Sequence, residues 1–205
     1  TSLAGYIDVE KVSGGKLSSD PMSCFEHWAE VCKVATNLSQ ADESSAIELD
    51  ANKLECPVPR PRQIFAIGIN YKAHAAEMNN PLPKEPLVFT KFQSSLNSPN
   101  GALTLVGEKC DFEAELVTVI AKGGRNISAS EAWGHVAGLC VGQDVSDRAL
   151  QYANTPPQFS LGKSRAGFTP IGPWITDAAS LTTRSNLEMT CRVSGEIMQH
   201  TQTDD

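Results

Sequence analysis

A series of short apolar runs, rich in β-branched residues and bounded by turn residues, is the feature that most limits the possible folds. The runs cover residues 64–69, 87–91, 113–121, 136–141, 171–176 and 187–193. Runs of this length and composition are typical of strands, because branched side chains fit a pleated surface. The first run is apolar throughout, which predicts a buried strand. The Ser194-Gly195 pair that follows the last run predicts a hairpin turn.

Three segments predict helices in addition to these strands. Residues 24–35 carry apolar side chains at three- and four-residue intervals, which is the spacing of one helix face. Residues 70–78 predict the start of a second helix. Residues 128–133 predict a third, with Ser128 as N-cap and Glu131 three residues later. Many strands with a few short helices predict an α/β (α+β) fold with a mixed β-sheet.

Residues 1–60 differ from the rest and predict a small N-terminal domain with a linker. Turn residues cluster at 14–20, and the prolines between 57 and 61 keep the chain extended. The strand pattern begins directly after this linker. We therefore expect a main domain over residues 61–205.

Charge and hydropathy argue against two classes of partner. The net charge is −7 and the pI is about 5.1, and the chain shows no basic stripe of the kind that phosphate contacts need. The nearest approach to one is Lys91, a single cation between Thr90 and Phe92. No apolar stretch approaches the length of a transmembrane helix. We expect neither a nucleic acid nor a membrane as partner.

The six cysteines show no metal-type C-x-x-C spacing. Their even number is compatible with a set of disulfides, but the chain is long enough to form a core and shows no secretory signal. Reduced thiols and a cytoplasmic location are therefore expected.

Three acids are candidates for a metal site. Glu113 and Glu115 stand in D-F-E-A-E at the start of a predicted strand, where side chains two residues apart point to one face. Asp144 follows the apolar run 136–141. Carboxylates on one face repel one another, and a hard divalent cation relieves this repulsion. The alternatives are water-facing acids at a strand start and, for Asp144, an N-cap of the segment that follows.

A histidine and a lysine are candidates for catalysis. His74 and Glu77 are three residues apart in a predicted helix, so the carboxylate can orient the ring and help it to activate water. Lys163 follows the apolar approach 159–162, where it can stabilise an enolate or a carboxylate. The alternatives are an exposed helical ion pair for the first two residues and a lysine that extends to solvent.

Four ordered motifs resemble the successive signatures of the fumarylacetoacetate hydrolase family. They are G-I-N-Y-K-A-H-A-A-E-M (68–78), D-F-E-A-E-L (111–116), G-Q-D-V-S-D-R-A-L-Q (142–151) and F-S-L-G-K-S (159–164). The segments G-P-W-I-T (172–176) and V-S-G-E-I-M-Q (193–199) are similar to the usual continuation. The resemblance covers residues 62–205 and implies the mixed β-sheet roll of the family's C-terminal domain.

The resemblance also implies a role for each candidate residue. The matching positions are Glu113, Glu115 and Asp144 as metal ligands, His74 and Glu77 as a water-activating pair on a mobile lid, Lys163 as the catalytic lysine, and Arg148 and Gln151 as substrate contacts. The implied cofactor is Mg²⁺ or Mn²⁺. The implied assembly is a homodimer.

The activity that the resemblance implies is cleavage of a C–C bond in a small 2-oxo or β-diketo acid, with release of pyruvate. An acylpyruvate or fumarylpyruvate hydrolase and an oxaloacetate decarboxylase both fit. Both reactions need an electron sink at the same oxygen, so the motifs do not separate them. Two alternatives stay open: an isomerase or dehydratase of the same family, acting on a hydroxymuconate-type diacid or a sugar acid, and a non-catalytic protein that keeps the metal site.

Two departures from the family pattern bear on the site. Ala166 stands where many members have an aspartate, and this difference is expected to reshape the pocket. The family pattern continues for several strands beyond Asp205, so we expect this sequence to lack the C-terminal strands of the domain.

Overall fold

The computed structural model describes residues 5–77, 79 and 81–204, with the side chain of His74 also outside the described part. Its α-helices are α1 (Val9–Val12), α2 (Pro21–Glu26), α3 (Trp28–Thr36), α4 (Gln40–Ser44), α5 (Lys72–Glu77), α6 (Arg148–Gln151) and α7 (Phe159–Gly162). Short 3-10 helices cover Ala51–Lys53, Gln93–Ser95 and Ala132–His135. None of the helices in these residues is both long and apolar enough to cross a bilayer.

A mixed sheet forms the centre of the described residues. The strands are β1 (Gly5–Tyr6), β2 (Ile47–Glu48), β3 (Ile64–Gly68), β4 (Leu87–Lys91), β5 (Leu96–Asn97), β6 (Cys110–Asp111), β7 (Ala114–Ile120), β8 (Val136–Gln143), β9 (Ser146–Asp147), β10 (Thr169–Asp177), β11 (Glu188–Val193) and β12 (Glu196–Gln202). The largest sheet has the order β5-β10-β8-β7. β5 and β10 run parallel, whereas β10 with β8 and β8 with β7 are antiparallel. This arrangement confirms the predicted α/β (α+β) class with a mixed sheet.

The predicted strands correspond to β3, β4, β7, β8, β10 and β11, with small differences at their ends. Ser194 and Gly195, with φ of 53° and 90°, form the predicted hairpin turn between β11 and β12. All six cysteines are unpaired in this structure, and reduced thiols stay a prediction.

Two helix predictions need correction. The segment 24–35 contains two helices, because His27 ends α2 with φ −118° and ψ 32° before α3 begins. The segment 128–133 forms turns that lead into a 3-10 helix. There the Ser128 hydroxyl donates a hydrogen bond to Glu131 Oε2 at 2.5 Å, which closes a turn instead of starting an α-helix.

The strand predicted to be buried is half exposed. Within the described residues β3 pairs with β4 alone, and the exposed fractions of Phe65 and Ile67 are 61% and 43%. This two-stranded sheet contacts α7, where the rings of Phe89 and Phe159 lie 5.5 Å apart. Since successive side chains of a strand point to opposite faces, alternate residues of β3 face outward.

A core cluster joins the N-terminal helices to the largest sheet. Phe25 of α2 packs with Val119 of β7 and Ala137 of β8. Partly buried apolar side chains from both parts of the chain surround them, namely Met22, Trp28, Val58, Ala121 and Ile175. The two parts therefore share a core, and the domain boundary at residue 60 stays a prediction.

Candidate active site

The register of β7 and β8 gathers the three predicted metal ligands. In this antiparallel pair Glu115 lies opposite Gly142. Beyond the end of β8, the Asp144 N–H donates to the Glu113 carbonyl oxygen at 2.8 Å, so these two residues face each other. Opposite residues, and residues two apart along a strand, share a face of the sheet. The pairing therefore brings Glu113, Glu115 and Asp144 to one face.

The three carboxylates lie close enough to share one ion. One oxygen from each of Glu113, Glu115 and Asp144 lies within 4.8 Å of the others. Burial, together with repulsion from Glu113 and then Asp144, raises the pKa of Glu115 to about 8. A cation bound beside Glu115 would stabilise its ionised form, which burial and the neighbouring charges disfavour. Hard divalent ions such as Mg²⁺ and Mn²⁺ take oxygen ligands of this type, so the donor set fits the expected cofactor.

Lys163 lies among the acids. Its ammonium group donates to Glu113 Oε2 and Asp144 Oδ2, both at 2.8 Å, and to Ser146 Oγ at 2.9 Å. The residue is 2% exposed, so its side chain does not extend to solvent. The structure thus places the predicted catalytic lysine in direct contact with two of the predicted metal ligands.

Gly162 allows Lys163 to reach this position. Lys163 follows α7 directly and caps its C-terminus. A Cβ at Gly162 would lie 2.7 Å from the Asp147 carbonyl oxygen and 2.8 Å from the Gln151 nitrogen. Both obstructing atoms belong to the backbone and have little freedom to move. Only glycine therefore lets α7 approach α6 this closely.

A second buried lysine, to which the sequence pattern assigns no role, lies on the other side of Asp144. Lys91, the last residue of β4, donates to Asp144 Oδ1 and, at 3.0 Å, to the Phe168 carbonyl oxygen. Burial lowers the pKa of Lys91, although Asp144 opposes that shift. Each oxygen of Asp144 thus accepts from a different lysine. No local sequence signal marks this contact, because a lysine at the end of a strand ordinarily extends its charge to solvent.

Arg148 joins the cluster from the first residue of α6. Its Nη2 lies 2.7 Å from both Asp111 Oδ2 and Glu113 Oε1, and its Nη1 donates to Gln151 Oε1 at 2.9 Å. Burial alone would lower the pKa of Arg148, but Glu113 and then Asp111 outweigh it and raise that pKa. Gln151 is 1% exposed, so in this structure its side chain supports Arg148. Substrate contact by Arg148 and Gln151 stays a prediction.

The segment after Asp144 contributes two buried residues that the sequence motifs did not single out. Ser146 accepts from Lys163 and donates to the Asp144 carbonyl oxygen at 3.1 Å. Asp147 accepts a hydrogen bond from the first turn of α6, which is the N-cap role considered for Asp144. The Asp144 carboxylate instead accepts hydrogen bonds from Lys91 and Lys163 and lies in the acid cluster. The influence of Ala166 on the pocket stays a prediction.

The predicted water-activating pair is only partly described. Positions 74 and 77 both lie in α5, which belongs to the connection between β3 and β4. The side chain of His74 lies outside the described residues, so the pairing of His74 with Glu77 stays a prediction. The connection that contains α5 joins β3 to β4, and β4 ends at Lys91. The hydrogen bond from Lys91 to Asp144 therefore links this strand pair to the acid cluster.

Comparisons place the chain among known proteins. The family model described as "Fumarylacetoacetate (FAA) hydrolase C-terminal" matches residues 63–205. The oxaloacetate tautomerase FAHD2A, mitochondrial, of Bos taurus is 41% identical over 150 residues, which make up 72% of this chain and 48% of that protein. The fumarylacetoacetate hydrolase domain-containing protein 2 homolog of Dictyostelium discoideum is 35% identical over 192 residues, covering 89% of this chain and 61% of that protein.

A solved structure extends the similarity to the fold. The crystal structure of a "putative HpcE protein" from Mycobacterium smegmatis matches with a TM-score of 0.88 and 40% identity, over 99% of this chain and 71% of that one. The chain spans about half the length of the Bos taurus relative, with 48% covered. From the match over residues 63–205 and from these relatives, the chain belongs to the fumarylacetoacetate hydrolase family.

Proposed function

We propose that the protein containing this chain is a divalent-metal-dependent enzyme that acts on a small 2-oxo acid by stabilising its enolate. The observation that carries the proposal is the cluster of Glu113, Glu115 and Asp144 with the buried ammonium group of Lys163 beside it. The first reaction to test is the keto–enol interconversion of oxaloacetate, because a relative 41% identical to this chain is named an oxaloacetate tautomerase. Mg²⁺ or Mn²⁺ is the proposed ion.

The chain's own residues supply fixed positive charge for this reaction. A bound divalent ion would supply Lewis-acid stabilisation of negative charge on the substrate oxygen. Lys163 holds its ammonium group where little water screens it, so it acts strongly on negative charge that develops nearby. Arg148, oriented by Asp111 and Gln151, offers a planar cation that would pair with a substrate carboxylate.

The test is a pair of assays on the full-length protein, stripped of metal and reloaded with Mg²⁺ or Mn²⁺. Loss of the ultraviolet absorbance of the enol follows tautomerisation of oxaloacetate, and a coupled assay follows release of pyruvate. Metal alone serves as the blank, because free divalent ions promote both reactions. We expect activity to disappear with the metal and to return on reloading. Protein that binds the ion but accelerates neither reaction would favour the non-catalytic alternative.

A second candidate function is C–C bond cleavage that releases pyruvate, by hydrolysis or by decarboxylation. Positions 74 and 77 lie one turn apart in α5, which favours this candidate, since a histidine oriented by a carboxylate can activate water. Release of pyruvate would also separate cleavage from isomerisation or dehydration within the family. The homodimer implied by the family and the cytoplasmic location stay predictions.

Replacing His74 by alanine is expected to separate hydrolysis from decarboxylation. Hydrolysis needs a deprotonated water, so His74→Ala should lose about 10²–10⁴-fold in acylpyruvate hydrolysis. Decarboxylation of oxaloacetate needs no water nucleophile and should fall far less. The two rates are measured side by side, with Lys72→Ala as the control at an exposed position of the same helix. Equal loss of both activities in His74→Ala would instead assign this residue to closure or binding.

A further inference from the structure

Lys91 reaches the acid cluster from a separate sheet. It is the last residue of β4, whose partner is β3, whereas Asp144 directly follows β8. Its ammonium group donates to Asp144 Oδ1 and, at 3.0 Å, to the Phe168 carbonyl oxygen. That carbonyl also accepts from the Val145 N–H at 3.1 Å, and Phe168 is fully buried. Two fixed acceptors therefore hold the charge of Lys91 in one place.

Asp144 is shared between two lysines with different surroundings. Lys163 binds Asp144 Oδ2 and also Glu113 and Ser146. Lys91 binds Asp144 Oδ1 and contacts neither of the other two acids through a hydrogen bond or ion pair among the described residues. An ion ligated by Asp144 would share that carboxylate with the ammonium group of Lys91. The two positive charges would repel each other in a buried setting, where screening is weak.

The net charge of the site depends on Lys91. Among the described residues the cluster comprises four acids and three cations, namely Asp111, Glu113, Glu115, Asp144, Lys91, Arg148 and Lys163. With every acid ionised, as metal ligation requires, these groups carry one net negative charge. A divalent ion changes this to one net positive charge. Without Lys91 the same loaded site would be neutral.

We propose that Lys91 is a positioning residue that adds one positive charge to the metal-loaded cluster, so that the site binds a dianionic substrate more tightly while it holds the metal less tightly. The inference rests on the metal-dependent function proposed above and assigns to Lys91 a part in the preference of that site for a 2-oxo acid with two negative charges. The proposal gives the two lysines different roles. Lys163 contacts two of the acids directly, whereas Lys91 acts on the cluster through Asp144.

Removing the charge of Lys91 should change two affinities in opposite directions. In Lys91→Met and Lys91→Gln, Mn²⁺ should bind roughly tenfold more tightly, because a unit charge close to the ion is removed from a weakly screened site. Oxalate, a dianion without a carbon-bound hydrogen, should bind the metal-loaded variants roughly tenfold more weakly, because the loaded cluster then carries one positive charge fewer. Weaker oxalate binding would not reflect lost metal, since the metal binds more tightly.

Calorimetric titration of the full-length protein gives both affinities, first with Mn²⁺ and then with oxalate at saturating Mn²⁺. Lys91→Met keeps an apolar stem of similar length. Lys91→Gln keeps an N–H donor for Asp144 or the Phe168 carbonyl but loses the charge. Lys122→Met removes one positive charge from an exposed position and should change both affinities by less than about twofold.

Several results would overturn the role of Lys91. A purely structural lysine would weaken both affinities in Lys91→Met and leave Lys91→Gln like the wild type. Failure of both variants to fold, when Lys122→Met folds, would also assign Lys91 to structure. A wild-type protein that binds Mn²⁺ but is inactive on 2-oxo acids would contradict the proposed function but not the role of Lys91. The affinities for Mn²⁺ and oxalate would still test that role. A wild-type protein that binds no Mn²⁺ would end both.

Discussion

Replacing Glu115 by glutamine should abolish metal-dependent stabilisation and activity while leaving the metal-free fold intact. Glutamine has nearly the same shape but lacks the negative charge that the ion needs. We expect kcat/KM with Mn²⁺ to fall by more than about 100-fold. Replacing a residue that only hydrogen-bonds to a metal ligand typically costs about 10–100-fold, and loss of a ligand itself should cost more. The metal-free fold should tolerate the change, because within the described residues the Glu115 side chain has no hydrogen-bond or ion-pair partner to lose.

The same change at Glu113 should behave differently without metal. Glu113 lies 2.8 Å from Lys163 and 2.7 Å from Arg148, so Glu113→Gln takes a counter-charge from two cations. The midpoint of metal-free thermal unfolding should therefore fall by about 2–8 °C. Thermal unfolding with and without Mn²⁺ compares the two variants, with Glu196→Gln as an exposed control. Retained Mg²⁺ affinity in a double variant, Glu113→Ala with Glu115→Ala, would show that the acids are not the metal site.

The pH dependence of metal-free stability gives an independent check on Glu115. Burial and then the neighbouring acids raise its pKa from 4.5 to about 8. The folded protein therefore holds the proton of Glu115 more tightly than the unfolded chain does. As the pH rises from 4.5 to about 8, this difference lowers the free energy of unfolding. Glu115→Gln cannot lose a proton and should lack this part of the slope. Urea unfolding across that pH range measures it, and equal slopes in wild type and variant would contradict a buried, repelled carboxylate.

Strand positions were predictable because they depend on local composition. The β-branched run 117–120 lies inside β7, and the apolar run 136–141 lies inside β8. Strand partners were not predictable, because pairing joins residues that are distant in sequence. β5 consists of Leu96 and Asn97 alone and pairs in parallel with β10, and two residues carry no recognisable strand pattern.

The site residues likewise fall into those that the sequence motifs predicted and one that they did not. Glu113, Glu115, Asp144 and Lys163 stand in motifs, and the structure brings all four together. Lys91 was missed because its partner Asp144 lies 53 positions away in the chain, so no local pattern reports the contact. A lysine at a strand end ordinarily extends its charge to water. Burial of this one depends on two acceptors that only the folded chain brings to it.

Replacing Lys163 by methionine should slow every reaction of the site to a similar degree. Tautomerisation, decarboxylation and hydrolysis of a 2-oxo acid all pass through negative charge on the same oxygen. Loss of one buried donor that stabilises such charge typically costs about 10²–10³-fold in kcat. Rates with oxaloacetate and with an acylpyruvate, measured at saturating Mn²⁺, give the comparison. Lys122→Met is the control for loss of an exposed positive charge.

Stability measurements on Lys163→Met distinguish a catalytic charge from a structural one. Without the ammonium group, Glu113 and Asp144 each lose a partner at 2.8 Å and repel each other. The free energy of unfolding of the metal-free protein should then fall by about 3–5 kcal/mol. Saturating Mn²⁺ supplies positive charge to the same acids, so it should restore most of the stability without restoring kcat. If Mn²⁺ restored both together, or if only hydrolysis were slowed, Lys163 would be a structural counter-charge and not the group that stabilises the enolate.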